Sequence, residues 1–366
     1  MTLEPKQTTE RVIAVGALVV VALGPLIFND YWVDAILTQV FIVGIAAASL
    51  IFLAAYGGMI SLAQTALMGS AGFMIGNMVT VGGGGGESKG LTLGWDPTLS
   101  LVLALLGTTL LGMIFGAVAA RSFGIYFLMI TLTFSVITFY FVGQVTVVSG
   151  FSGIGGIDRY TPGFVGDIVT DRNRLYYIAL GTAVVVYVGI RYIVRTPFGV
   201  SLQGVRDEPV RMSSLGYAVP FHRTIAFTFA AFVAALGGVL YAWWAGQVAP
   251  GDVDLPQTIS LLIMAVIGGL TRIEGAWIGA FAFILMQNYI TSSTHVPLLG
   301  FGGTIFGGSF NTIIGIVFLL IVVVSPDGLT GLWGRLFRPG GRWSKGGGEP
   351  AATVAESVQK PVVDPS

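Results

Sequence analysis

Cysteine is absent from the 366-residue chain, and histidine occurs only at His222 and His295. Disulfides, thiolate catalysis and cysteine-ligated metals are thereby excluded, and two histidines cannot build a histidine-rich metal site. Charge is scarce as well: Asp, Glu, Lys and Arg make up 10% of the residues, against about 25% in an ordinary soluble domain. With 54% hydrophobic residues and a mean hydropathy of +0.84, the chain reads as an integral membrane protein. Charge is scarcest in the middle of the apolar runs. Proton or sodium coupling needs groups that change charge away from water, so a self-powered secondary transporter is disfavoured. No paired carboxylates, Ser/His/Asp set or metal cluster stands in those runs, which disfavours an enzyme and leaves no cofactor to expect.

What is present is a series of uninterrupted apolar runs. A helix needs about 20 apolar residues to cross a bilayer, whereas a barrel would show alternating segments of about 10 residues. The fold class expected is therefore an all-α polytopic membrane protein of about ten transmembrane helices. The spans are placed near 12–28, 35–55, 63–81, 98–120, 123–147, 175–194, 224–247, 257–271, 275–291 and 310–325. The first run follows Lys6 and Arg11 as a signal peptide would, but no small-x-small cleavage site precedes Asn29 and Asp30, so it is read as a retained span. Residues 1–11 form the N-terminal flank, 12–335 the membrane domain, and 336–366, rich in Gly, Pro and charge, a disordered tail.

Basic residues orient the spans. With the N-terminus inside, 14 of the 18 Lys and Arg fall on the inner side, while Lys89, Arg159, Arg172 and Arg174 stay outside. Acidic residues divide nine and nine, so a formal charge of zero conceals about +5 inside and −5 outside. Both termini are predicted cytoplasmic. Trp32, Trp95, Trp243 and Trp244 fall at outer span ends, and Trp277 and Trp333 at inner ones, where headgroup-level indoles belong.

Two long connections face outward. "GGGGGESKG" (82–90) lacks the Gly-Lys-Ser/Thr order of a phosphate loop and reads as a linker. "SGFSGIGGIDRYTPGFVGD" (149–167) reads either as an irregular lid or partner contact, or as a plain surface loop. A weak internal repeat relates "GGMISLAQTALMGSAGFMIG" (57–76) to "GGLTRIEGAWIGAFAFIL" (268–285), each placing glycines and polar residues at the start of a span. Neutral polar residues in the spans have two readings. Small-xxx-small spacing and hydroxyls first suggest close helix packing; the second reading is a polar lining for a small neutral or zwitterionic solute, with Ser61, Gln64, Thr65, Thr131 and Ser135 as its residues.

"TPFGVSLQGVRDEPVRMSSLGYAVPFHR" (196–223) is the one long polar, basic segment between apolar runs, and the charge count places it inside. Asp207 suits an N-cap, Pro209 a first helical turn, and Gly216 a terminator, giving a helix of about two turns. Pro209, Met212 and Leu215 make an apolar stripe, flanked by Arg206, Glu208 and Arg211. So short a helix is marginal alone. Either the protein's own helix ends cover the stripe, or a cytoplasmic partner does.

Residues 196–248 resemble the cytoplasmic loop and following span of permease subunits of branched-chain amino acid ABC importers. The matching positions are Thr196, Pro197, Phe198, Gly199, Arg206, Asp207, Leu215 and Gly216. "YGGMISLAQTALMGSAGF" (56–73), "RSFGIYFLMITLTFS" (121–135), "ISLLIMAVIGGLTRIEGAWIGA" (259–280) and "SPDGLTGLW" (325–333) are similar to further family blocks, in order. Departures are Arg211 to Ser214, where the family has acidic and alanine residues, and Thr271-Arg272 in place of Gly-Thr. The resemblance implies a type II importer fold like vitamin B12 permeases and a multi-pass location in the bacterial inner membrane among its lipid. It implies as partners a second homologous permease, two ATPase subunits and an external solute-binding protein, with no nucleic acid among them. ATP hydrolysis would sit on the separate subunits, since no nucleotide-binding motif occurs here. Arg206, Asp207, Glu208, Pro209, Arg211, Met212, Leu215 and Gly216 would form the ATPase-coupling element. Branched-chain amino acids, urea, short amides and aromatic acids all occur as solutes of such permeases. A passive channel for a small neutral solute is the alternative, and a membrane-embedded enzyme a distant third.

Overall fold

The computed structural model describes residues 24–27, 29, 31–81, 90–163, 165–168 and 171–292, with the single positions 315, 319, 328, 329 and 331. Most of the expected first and tenth spans, the N-terminal flank, the glycine run at 82–89 and the 336–366 tail lie outside the described residues.

Proline starts and glycine stops set the element order. A short helix α1 (Gly24–Ile27) precedes a π-helical stretch, Trp32–Thr38, that runs directly into α2 (Gln39–Gly57). Then come α3 (Gln64–Val79), α4 (Pro97–Ala119), α5 (Ile125–Gln144) and α6 (Arg172–Arg195). Two short helices, α7 (Pro197–Asp207) and α8 (Pro209–Ser214), lead to α9 (Val219–Ala245), α10 (Leu255–Gly268) and α11 (Gly275–Ser292). Asp96 begins α4 by accepting hydrogen bonds from the amides of Thr98 (2.8 Å) and Leu99 (3.4 Å), with Pro97 in the first turn where its missing N–H costs nothing. Thr196-Pro197 starts α7, and Asp254 with Pro256 starts α10, in the same way.

Among the described residues, five elements are long and apolar enough to cross a membrane: Trp32–Gly57, α4, α5, α6 and α9. They fall on the expected spans at 35–55, 98–120, 123–147, 175–194 and 224–247. Helices also occupy the spans expected at 63–81, 257–271 and 275–291, with 16, 14 and 18 residues; at 1.5 Å per residue the first two reach about 24 and 21 Å, against a bilayer core of about 30 Å. In α3, all residues but Met74 and Met78 are buried within the protein. Apolar composition marks a lipid-facing helix and a protein-buried one alike. Burial separates them: 83% of the apolar window of Trp32–Gly57 is buried, against 22% in α4, 28% in α5 and 22% in α6. The latter three carry rows of exposed apolar side chains such as Leu106, Leu110, Ile137 and Val185, so lipid is the surface they suit.

Where α9 crosses α3, a Cβ on Gly238 would overlap the carbonyl oxygen of Met68. Two backbones meet there with no room for a side chain, as small residues permit in membrane helix packing. Gly238→Val is expected to destabilise the fold by about 3 kcal/mol or more, since overpacking a core costs about 1–3 kcal/mol and backbone cannot give way as a side chain can. Loss of the monodisperse peak in detergent, measured beside the wild type, checks it.

The weak repeat has a geometric counterpart. One helix ends at Gly57 and another at Gly268, the following glycine takes positive φ in each (Gly58, +64°; Gly269, +110°), and the next helix begins seven residues on, at Gln64 and at Gly275. Both breaks lie at the same end of the molecule as the contacts of Arg206 with Ala55 and of Arg191 with Glu274.

The sides assigned by charge counting agree with contact. Among expected outer groups, Arg172 pairs with Asp34, the Trp244 indole donates to the Asp34 carbonyl (3.0 Å), and β1 (Ile154–Gly155) pairs antiparallel with β2 (Gln247–Val248). The 149–167 connection is anchored rather than loose: Ile154 and Ile157 are buried, and both pack on Gly76 of α3. At the other end, Glu274 lies between Tyr187 and Arg191. Burial pushes its carboxyl up, but hydrogen bonds and the Arg191 charge outweigh that and hold it below the usual carboxylate range. Trp243, although only 4% exposed, lies near Asp34, Asp158 and Arg172 of the expected outer end, and at the other end Arg223 is equally buried. Its guanidinium donates to the carbonyls of Ala120 (3.3 Å) and Ser122 (2.7 Å), lies over the Phe123 ring, and so pins the α4–α5 turn to α9.

Candidate functional site

The polar segment at 196–223 folds as two short helices, α7 and α8, joined at Glu208 and followed by the start of α9. Thr196 caps α7 by accepting from the Gly199 amide (3.4 Å), and Leu202 and Val205 bury α7 against the protein. The expected single helix with Asp207 as N-cap is therefore corrected. Asp207 is the last residue of α7 and accepts from Arg206 Nε (2.8 Å), while Glu208 holds the N-cap position of α8 without a side-chain bond. The cause is local. The Thr196-Pro197 start launches a helix eleven residues earlier than the Asp207 signal, and Pro209, which cannot continue it, forces the break at Glu208. Pro209 sits in the first turn of α8 and Gly216 ends the motif at φ +90°, both as expected.

Side chains of this segment divide between the protein and the outside. The Arg206 guanidinium turns inward, donating to the Ala55 carbonyl near the end of α2 while its stem lies over Gly58. Met212 is half-buried with its sulfur over Gly204. Arg211 and Glu208 form an exposed pair at 3.6 Å. Helix α8 has no buried residue. Leu215 is 66% exposed, and Val210, which the every-third-residue stripe passes over, is 79% exposed.

The candidate lining residues come apart in the same manner. Gln64 Oε1 accepts from Ser49 (2.9 Å), and its amide nitrogen approaches Ser61 Oγ (3.5 Å). Thr131 Oγ1 accepts from the Leu62 amide (3.1 Å), supporting the non-helical entry to α3. Ser135 bonds the Thr258 hydroxyl (3.0 Å), joining α5 to α10. Gln64, Thr131 and Ser135 thus bond across separate segments, the packing role polar groups offer in membranes, while Ser61 bonds within its own segment, to Ala63 and Gln64. Thr65 differs: its buried hydroxyl has no hydrogen-bond partner.

Thr65 lines a cavity of about 480 Å³ bounded by α2, α3, α9, α10 and α11. Polar groups reach it from separate parts of the chain: Gln39, Tyr241, Asp252, Gln257 and Gln287. Sequence reasoning passed over all five. The signal available was a neutral amide in or beside an apolar run, as at Gln39 and Gln287. A second cavity, about 440 Å³ between α3, α4 and α5, is walled almost wholly by carbon, with Phe73, Leu111, Phe115 and Phe141. Among the described residues, no group of three His, Cys, Asp or Glu could hold a metal ion.

The model of the family described as branched-chain amino acid transport system / permease component matches residues 32–324. The chain is 27% identical over 177 residues to the probable branched-chain amino acid transport permease protein LivH of Methanocaldococcus jannaschii, a stretch covering 48% of this chain and 52% of that one. It is 25% identical over 152 residues to the high-affinity branched-chain amino acid transport system permease protein LivM of Salmonella typhimurium, and equally to that of Escherichia coli, covering 41% of this chain and 36% of each. The matched stretches thus span about half or less of these relatives. No solved structure matches.

Proposed function

This chain belongs to the family of branched-chain amino acid transport system permease components, and from that premise we propose that it is the transmembrane subunit of an ATP-driven importer for branched-chain amino acids or a related small polar solute. The family is one of transport components, not of enzymes. In this reading the chain adopts the type II importer architecture, with about ten helices and both termini cytoplasmic in a bacterial inner membrane. Two ATPase subunits, a second homologous permease and an external solute-binding protein complete the assembly.

One observation carries the coupling role: α8 has no fully buried residue, and Val210 within it and Leu215 at its C-cap stand exposed at the end that the basic residues mark as cytoplasmic. Bare apolar side chains on so short an element are unfavourable in water unless another surface covers them. ATP-driven closure of the ATPases would push on α7 and α8, and Arg206 links α7 to the end of α2. A passive channel has no use for such an element. Affinity purification of the tagged chain from its native membranes tests the reading. ATPase subunits and a second permease are expected to co-purify, and their absence would favour the channel.

A further inference from the structure

The geometry points to the 480 Å³ cavity as a solute chamber in which Asp252 receives a protonated amine, so that a solute whose only charge is a carboxylate is rejected. This inference rests on the permease reading and adds to it the chamber, its charge preference and the residue that sets it.

The volume lies within the range of about 300–1,000 Å³ typical of small-molecule sites. Among the described residues, Asp252 is the one acidic residue in its wall, and no Lys, Arg or His lines it. The carboxylate is held in place: one oxygen accepts from the Tyr241 hydroxyl (2.9 Å), the other from the Ala249 amide (2.8 Å). An ionised carboxylate offers about four acceptor positions, so lone pairs remain after these two bonds. Neither partner carries positive charge, and a fixed anion in a sparsely solvated wall favours a cation beside it and repels a second anion. Met68, Leu261, Met264 and the Trp244 ring supply apolar wall for the solute's body. Thr65 adds a buried, unpartnered hydroxyl in the first turn of α3, free to bond a polar group of the solute.

A pair of probes with matched branched skeletons separates the two charges: 3-methylbutylamine carries only an ammonium group, and 3-methylbutanoate only a carboxylate. Saturation-transfer NMR on the purified assembly in lipid nanodiscs, without the external binding protein, reads binding of each. The amine is expected to bind at least tenfold more tightly than the carboxylate. Asp252→Asn, whose one acceptor oxygen can keep the Ala249 amide bond while its NH2 donates to the Tyr241 hydroxyl, is expected to remove that preference while ATPase subunits still co-purify. Equal binding of the two probes by the wild type overturns the inference, and so does an unchanged preference in a folded Asp252→Asn protein. Should that variant fail to fold, the wild-type comparison still decides. Co-purification of ATPase with the wild type is scored separately, so a chamber of the wrong charge preference is distinguished from a chain that is no importer subunit.

Discussion

The double substitution Val210→Asp/Leu215→Asp is expected to abolish transport while leaving membrane insertion and the fold intact. Val210 on α8 is 79% exposed and Leu215 at its C-cap 66%, and exposed positions of this kind usually tolerate replacement within about 0.5 kcal/mol. At a buried interface the balance reverses. Each new carboxylate would lose its water without gaining a partner, at a cost of about 2 kcal/mol or more apiece. Together they would weaken ATPase docking about a thousandfold, since each 1.4 kcal/mol is tenfold. Solute uptake into vesicles and ATPase recovery on purification should both fall to background. Normal uptake with the ATPase retained would remove α8 from the coupling role. Met212 is a poorer target than the bare stripe suggests, because it packs over Gly204 and its loss also disturbs the α7–α8 junction.

Arg206→Ala is expected to separate ATP hydrolysis from transport. The guanidinium reaches back from α7 to the Ala55 carbonyl near the break between α2 and α3, with its stem on Gly58. A charge-assisted bond of this type contributes about 1.5–3 kcal/mol, so its loss should lower solute moved per ATP by about ten- to a hundredfold. The ATPase should still assemble, since Val210 and Leu215 are untouched. Arg206→Lys keeps the charge but loses the planar fork that reaches Ala55 and Asp207 together, so an intermediate ratio is expected. Equal transport per ATP in the alanine variant would mean that the push from α7 reaches the break by another route.

The weak sequence repeat gained most from the coordinates. Gly57-Gly58 and Gly268-Gly269 are common dipeptides in a glycine-rich chain, and nothing in their identity shows that both end a helix. Their matched positive φ and matched restart do. The lining candidates show the opposite case. Ser61, Gln64, Thr131 and Ser135 were legible as polar residues in apolar runs, yet Gln64, Thr131 and Ser135 meet partners brought from elsewhere, Ser49, Leu62 and Thr258, while Ser61 bonds its neighbours Ala63 and Gln64. A hydroxyl's side of the helix can be counted from periodicity, whereas the group it meets cannot.

The residues alone determined that the chain is helical and membrane-borne, which connections share a side, where Thr196-Pro197, Pro209 and Gly216 punctuate the inner segment, and to which family it belongs. These are local properties: apolar run length, charge on short connections, caps and ordered motifs act over a few residues. Tertiary structure decided that α3 is buried while α4, α5 and α6 face outward, that Asp207 closes a helix instead of opening one, and that Gln39, Thr65, Asp252 and Gln287 meet in one cavity. Lipid tails and a protein interior are equally apolar, so hydropathy assigns the same value to a helix in either. Which of the two surrounds it depends on helices distant in sequence, and so does the wall of any chamber between them.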